Sequence, residues 1–228
     1  MPRGGEWLAA ALAGLLALPM TVAATAWPDV PLPDGAQSIE VAGDMLFNGL
    51  PMSTRKFRTR MRPEEVQRFY REQWAGAVVE DDLGTGTVMG HLQGRHYITV
   101  QVEAVGGGTE ATVGVMDTRA KPSKQRPGDW LVQPANTEVL SDVQYLDLTG
   151  QPRTLALRNT LSPSQNYLFY RSRLAADDWK PEGAGCSVMA SQCLVEFSRG
   201  GEHLSLAIQR EGGSTTVLAN RTGRGTSR

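Results

Sequence analysis

The sequence has few of the residues on which catalysis and metal binding usually depend. Its 228 residues include two cysteines and three histidines, which leaves little material for a zinc centre or a cysteine nucleophile. It also lacks the Gly-x-Ser-x-Gly motif of serine nucleophiles, and no glycine-rich loop ends in Lys-Ser or Lys-Thr. We therefore expect a protein that is not an enzyme and that carries no cofactor.

The sequence also has almost no net charge. It contains 23 basic and 24 acidic residues, which give a formal charge of −1. A protein that gathers nucleic acid needs a positive field, and this chain has none. We expect no nucleic-acid partner.

One long apolar run is present, at the beginning of the chain. Arg3 precedes the run Leu8–Ala24, and small residues follow in Ala24-Thr25-Ala26, where a signal peptidase reads them. This pattern predicts a signal peptide over 1–26 and a periplasmic or secreted protein. A retained anchor is the alternative, although Pro19 leaves the run short for a span of about 20 residues. Membrane association would arise only through this segment if it stayed uncleaved.

The stretch Met61–Arg71 returns one hundred residues later as Leu161–Arg171. The matching pairs are Pro63/Pro163, Phe69/Phe169, Tyr70/Tyr170 and Arg71/Arg171. A constant offset across four pairs predicts a tandem repeat, so that the fold of one half is built twice.

Each copy of this stretch has the pattern of an amphipathic helix. Proline at the first helical position loses only an amide without a partner. The apolar stripe Val66, Phe69, Tyr70 and Trp74 follows at helical spacing. We expect the phenylalanine and tyrosine rings to be core residues packed on a sheet, rather than catalytic groups.

The second copy differs at the start of its helix. Ser162 and Gln165 predict a capping box around Pro163. Asn166 takes the place of Val66, so this helix is expected to be less well anchored at its start.

Strand patterns surround the first helix. Ile39, Val41, Met45 and Phe47 alternate with polar or small residues, Asn48-Gly49 predicts a tight turn, and 55–61 runs back. Three strands follow the helix, over 87–92, 97–105 and 109–116. The predicted fold is α+β, a ββαβββ unit with one helix on a five-stranded antiparallel sheet.

The second half repeats these patterns. Strands are predicted over 139–148 and 155–161, at Val188 with 194–197, and over 204–208 and 215–219. The predicted division is a signal peptide at 1–26, repeat 1 at 27–118, a linker at 119–131, repeat 2 at 132–222, and a disordered tail at 223–228.

The Pro-rich lead-in, the hairpin, the Phe-Tyr-Arg helix and the following Trp together resemble a duplicated module of exported bacterial proteins of unknown function. The resemblance covers both halves, and the helix segment is its specific part. It implies no catalytic residues.

Cys186 and Cys193 are separated by six residues and lie in the second half. In an exported chain this pair predicts a structural disulfide. The alternative, a redox-active pair, is more often spaced Cys-x-x-Cys.

Four basic residues share strand parity and would lie on one face, a possible surface for phospholipid headgroups or an acidic protein. They are Lys56, Arg58, Arg60 and Arg62. The alternative, which we favour, is that Glu40 and Asp44 neutralise them across the strands.

His91 and His96 flank a predicted hairpin turn and are weak candidates for a metal site, with Glu103 as a further ligand. No zinc-ligand spacing is present, and the second half keeps only His203, aligned with His96. We predict no metal.

Three functions remain. The first is a non-enzymatic interaction or accessory module with a protein partner in a cell-envelope assembly, such as a secretion or pilus system. The second is a binder of a small ligand or metal in the groove between the repeats. The third, a hydrolase with scattered catalytic residues, has the least support.

Overall fold

The computed structural model describes residues 27–183 and 185–223. The predicted signal peptide and residues 224–228 of the predicted tail lie outside this part of the chain. Each half contains two strands, one helix and four further strands. In the first half these are β1 (Gln37–Phe47), β2 (Leu50–Thr59), α1 (Pro63–Gln73), β3 (Val79–Asp82), β4 (Thr87–Gln93), β5 (His96–Val105) and β6 (Gly108–Asp117). In the second half they are β7 (Glu138–Tyr145), β8 (Arg153–Asn159), α2 (Pro163–Ala175), β9 (Lys180–Glu182), β10 (Gln192–Arg199), β11 (Glu202–Glu211) and β12 (Ser214–Thr222).

The strand that directly follows each helix was not predicted. The strand β3 reads Val-Glu-Asp-Asp and β9 reads Lys-Pro-Glu, and every residue of both is exposed. Neither has the apolar alternation of a half-buried strand, because each lies at an outer edge of the sheet. The expected ββαβββ order is therefore wrong in both halves by one strand.

All twelve strands form one antiparallel sheet, in the order β3-β4-β5-β6-β2-β1-β7-β8-β12-β11-β10-β9. The expected α+β class with antiparallel pairing is confirmed. The expectation of a separate five-stranded sheet in each half is wrong. The halves join where β1 pairs with β7, with Met45 opposite Tyr145 and Phe47 opposite Val143. Counted outward from this pair, each half places its strands in the same order.

Two register shifts interrupt β1, between Glu40 and Ala42 and between Ala42 and Met45. Each extra residue turns the following side chains to the other face of the sheet. The two shifts together restore the original alternation, so Ile39, opposite Lys56, and Met45, opposite Met52, lie on the same face, although Ile39 is 52 % exposed and Met45 is 7 % exposed.

Both helices lie on the same face of the sheet. Tyr70 of α1 packs in one cluster with Phe57 and Val100, and Tyr170 of α2 packs in another with Leu155. Met45 and Tyr145, which face each other at the junction, have the opposite parity to Phe57 and Leu155. The face that carries Met45 and Tyr145 is therefore the helix-free face.

The predicted helices are present and begin at their prolines, but their anchors differ from expectation. Tyr70 and Tyr170 are fully buried, whereas Phe69 and Phe169 are half-buried and pack edge-on against them. The predicted capping box is formed, since Gln165 N donates to Ser162 Oγ at 3.2 Å and Ser162 N donates to Gln165 Oε1 at 2.8 Å.

Asn166 does not weaken the start of α2. It is fully buried, and its side-chain nitrogen donates to Asn159 Oδ1 at 3.1 Å while Asn159 Nδ2 donates to Asn166 Oδ1 at 2.8 Å. A satisfied amide pair therefore replaces the apolar contact that Val66 makes in the first half.

Candidate functional site

The two cysteines are joined by a disulfide in the connection between β9 and β10. Their Cα atoms are 5.5 Å apart, within the usual range for such a bond. This agrees with the predicted pairing of Cys186 and Cys193. We call residues 186–193 the disulfide loop.

The base of the disulfide loop is held by the second core cluster. Both cysteines are half-buried against that cluster. Gly185 lies so close to Tyr167 that a Cβ there would be 2.5 Å from the tyrosine hydroxyl oxygen, and Arg210 N donates to Ser191 O at 2.8 Å. The loop therefore leaves the sheet from a fixed base.

The tip of the disulfide loop carries two apolar side chains in solvent. Val188 is 80 % exposed and Met189 is 91 % exposed. Val188 was predicted in a strand, but β10 begins at Gln192, so that assignment is wrong. Ala190 N donates to Ser187 O at 3.1 Å, which closes a turn that holds Val188 and Met189 at its centre.

The corresponding connection in the first half is short. The strands β3 and β4 are joined by residues 83–86, and Leu83 N donates to Gly86 O at 2.8 Å. The disulfide loop is thus a feature of the second half alone. No charged residue lies between Glu182 and Glu196, so the loop is an uncharged segment between two exposed carboxylates.

The predicted basic surface is partly neutralised, by a residue that was not predicted. Lys56 Nζ and Arg58 Nε donate to the two oxygens of Glu110 at 2.9 and 2.7 Å, and both cations lower the pKa of that carboxyl group. Asp44 instead accepts from the Trp27 indole at 3.4 Å, and the side chain of Glu40 lies outside the described part. The partner was missed because Glu110 lies 54 residues after Lys56 and 52 after Arg58 in sequence.

The other two basic residues do not extend this cluster. Arg62 is the N-cap residue before α1, and its guanidinium lies 3.5 Å from Glu65. Arg60 is exposed beside the Gly106–Gly108 turn, where it lines a shallow hollow. A continuous basic stripe is therefore not formed.

The two histidines of the weak metal candidate have separate surroundings. His91 stacks on Trp74, with ring centroids 4.9 Å apart, and its Nδ1 is 2.7 Å from Ala77 O. His96 meets Trp27 edge-on at 6.0 Å. Within the described residues no group of three or more His, Cys, Asp or Glu is arranged for a metal ion.

His203 does not correspond to His96. The hairpin closes at Gln93 opposite His96 in the first half and at Arg199 opposite Glu202 in the second. Glu202 therefore corresponds to His96, and the alignment was wrong by one residue.

The junction between the halves is filled rather than open. Arg153 forms two hydrogen bonds with Asp142, at 2.8 and 2.7 Å, and Gly128 N of the connecting segment donates to the same carboxylate at 2.7 Å. The guanidinium groups of Arg153 and Arg221 both lie over the Trp130 ring, with their central carbons 5.7 and 5.6 Å from the ring centroid. The cavity beside this cluster measures about 10 Å³, which is about the space of one water.

Comparison with known proteins gives no match to a protein family, to a curated protein or to a solved structure. Within residues 27–183 and 185–223, no helix has the length and apolar content that crossing a bilayer requires. A disulfide is typical of an oxidising, non-cytoplasmic compartment.

Proposed function

We propose that this protein is a non-enzymatic, exported interaction module of a cell-envelope assembly, and that the disulfide loop is its contact with a protein partner. The observation that carries the proposal is the tip of the loop, with Val188 80 % and Met189 91 % exposed on a fixed base. Exposed apolar side chains held in place lose little conformational entropy on binding, so they favour recognition.

Export is supported by two independent features. The apolar run Leu8–Ala24 with its small closing residues has the pattern of a signal peptide. The bond between Cys186 and Cys193 needs an oxidising compartment to persist. A periplasmic or secreted location satisfies both.

The two halves are proposed to be a duplicated unit. Support comes from the order of their elements and from the prolines and tyrosines that recur one hundred residues apart. In this view the disulfide loop replaced a four-residue turn after duplication. A loop acquired by one copy alone is typical of a specialised binding element, because loops tolerate insertion and carry function.

The chemistry of the loop indicates what kind of partner surface would bind it. An uncharged apolar tip calls for an apolar pocket, and the exposed carboxylates of Glu182 and Glu196 beside it call for a basic rim. The same carboxylates would be repelled by anionic lipid headgroups. A protein surface is therefore a better fit than a membrane.

Site-specific photocrosslinking in intact cells tests this function. We expect a cross-linker at Met189 to give one discrete adduct with an envelope protein, with a mass that differs from a second copy of this chain. A cross-linker at Val132, which is 43 % exposed and remote in sequence from the loop, is the matched control and should give none.

Cys193→Ser should weaken the Met189 adduct, because the opened loop no longer holds its tip in place. If Met189 and Val132 gave the same adducts, or if Met189 gave none, the disulfide loop would not be the contact.

A further inference from the structure

The helix-free face of the sheet carries a row of large apolar side chains, each directly opposite the next on neighbouring strands. The register links Leu92 to Tyr97, Tyr97 to Met116, Met116 to Met52, Met52 to Met45 and Met45 to Tyr145. The row crosses six adjacent strands, from β4 to β7. We call these six residues the apolar platform.

Two glycines lie beside the platform. A Cβ added at Gly90 would collide with the Tyr97 ring, and one added at Gly114 would be 2.6 Å from Met52 Cε. The tyrosine and methionine side chains therefore lie down on the sheet. These side chains fill the space over the two glycines.

The platform is open to solvent at its β4 and β5 end. The lead-in packs on the opposite face, where Tyr70 Oη donates to Pro31 O at 3.1 Å, and the connecting segment binds there to Asp142. Leu92 is 60 % exposed and Tyr97 39 % exposed, Met52, Met116 and Tyr145 are half-buried, and Met45 is 7 % exposed. Contiguous exposed apolar surface of this kind marks an interaction site.

We propose that the platform packs against the platform of a second copy of this chain, sheet upon sheet. Two flat antiparallel sheets pack face to face through apolar side chains, and a two-fold contact places the same patch on both sides. The six residues carry no formal charge at neutral pH. The nearby Lys56 and Arg58 share the carboxylate of Glu110 in their own chain, which reduces the positive charge that self-association brings together.

The size of the surface is sufficient for a dimer of moderate affinity. Six strands spaced by about 4.8 Å span about 24 Å across the sheet. Along the strands, the platform together with the neighbouring row of residues on either side of it spans about 20 Å. The footprint is about 500 Å² per copy, or about 1,000 Å² in total, which is the lower range of specific interfaces.

Association through the sheet edges is disfavoured. The edge strand β3 presents Glu80, Asp81 and Asp82, and the edge strand β9 contains Pro181. Short strands with charges or proline are the usual protection against edge pairing. The row that corresponds to the platform in the second half is polar, with Ser198 opposite His203 and His203 opposite Thr222. The contact is therefore restricted to the platform.

Sedimentation equilibrium of the purified protein tests the dimer. We expect a monomer–dimer equilibrium with a Kd of about micromolar order. Leu92→Glu places two carboxylates across the two-fold contact and should weaken the dimer at least about tenfold. Leu168→Glu, at a residue of α2 that is 58 % exposed, is the matched control and should leave the dimer unchanged. Circular dichroism melts verify that both variants fold.

A wild-type protein that stays monomeric at high concentration would overturn the proposal, as would a dimer that Leu92→Glu leaves intact. Flotation with phosphatidylcholine vesicles tests whether the platform binds lipid instead. If the wild-type protein were a monomer that bound the vesicles and Leu92→Glu abolished that binding, the platform would be a lipid-binding surface. The mass of the assembly and the adduct at Met189 are separate measurements, so either proposal can fail without the other.

Discussion

At the scale of single residues, the most informative contact is the amide pair between Asn159 and Asn166. Each side chain donates to the other, in a position where both residues are buried. The positions one hundred residues earlier are Thr59 and Val66. The first half thus supplies a natural replacement for the pair.

We expect Asn166→Val to destabilise the protein by about 1–3 kcal/mol, because it leaves the Asn159 amide nitrogen buried without an acceptor. The double variant Asn159→Thr/Asn166→Val reproduces the first half and should recover most of the loss. Urea denaturation of the four proteins of this cycle measures the coupling. Additive effects of the two substitutions would show that the pair does not act as a unit.

The two buried tyrosines provide a second matched comparison. Tyr70 Oη donates to Pro31 O at 3.1 Å, whereas Tyr170 Oη has no hydrogen-bond partner among the described residues. Burial raises the pKa of both hydroxyl groups, so both stay protonated at working pH. Tyr70→Phe should cost about 0.5–1.5 kcal/mol, while Tyr170→Phe should be neutral or stabilising. Thermal unfolding compares the stability of the two variants. An equal loss of stability in both would contradict the assignment of a hydrogen bond to Tyr70 alone.

At the scale of elements, the second half depends on a covalent closure that the first half does without. The strand β9 has three residues, and α2 contacts it directly. The bond between Cys186 and Cys193 ties β10 to the segment that follows β9. The loop that it closes has eight residues, which corresponds to about 2.5 kcal/mol of unfolded-state entropy.

We expect alkylation without reductant to label neither cysteine in the exported protein. Reduction should speed hydrogen exchange in β9 and β10 and leave β4 and β5 unchanged, because the first half contains no cysteine. Two labelled thiols in the untreated protein would contradict the prediction, and so would a uniform rise in exchange across both halves.

At the scale of the whole molecule, the junction holds the two halves in one sheet. The side chains of Asp142 and Arg153 are only 2 % and 13 % exposed. The backbone of Asp142 also reaches the first half, since Asn48 N donates to Asp142 O at 2.8 Å. One residue pair thus connects the second half, the connecting segment and the turn that follows β1.

Arg153→Ala should cost about 3–5 kcal/mol, because it leaves the carboxylate of Asp142 buried without its cation. Arg58→Ala is the matched control: its side chain is 65 % exposed in an ion pair with Glu110, and its loss should cost less than about 1 kcal/mol. The denaturant midpoints of the two variants show which substitution destabilises the protein more. If the two variants were equally stable, the junction would not depend on the buried pair.

Stability should also fall in acid. The pKa values of Glu65, Glu80, Glu110 and Asp117 are all lowered, through hydrogen bonds or charges from nearby Arg and Lys residues. A carboxyl group whose folded pKa lies below its unfolded value contributes stability above the unfolded value and loses it as the pH falls through the folded one. The unfolded values are 4.5 for Glu and 3.8 for Asp.

We therefore expect a constant melting temperature from neutral pH down to about pH 5, and a decline below it. Glu110→Gln should make that decline shallower than in the wild type. A melting temperature that rises in acid would have the wrong sign for these four carboxylates.

Local chemistry alone determined much of this protein. The prolines at 63 and 163 begin the helices, Asn48-Gly49 makes its turn, and the two cysteines pair, because each of these features depends on residues close together in sequence. The antiparallel α+β class followed from strand and helix patterns for the same reason.

Tertiary structure decided the features in which distant residues meet. The edge strands β3 and β9 have no apolar pattern, and they exist because β4 and β10 offer them hydrogen bonds. The two bulges of β1 interrupt the alternation of its side chains between Glu40 and Met45. Glu110 pairs with Lys56 and Arg58, which lie 54 and 52 residues before it in sequence. The row from Leu92 to Tyr145 is invisible in sequence, because the register of six strands aligns it, and register is a property of the assembled sheet.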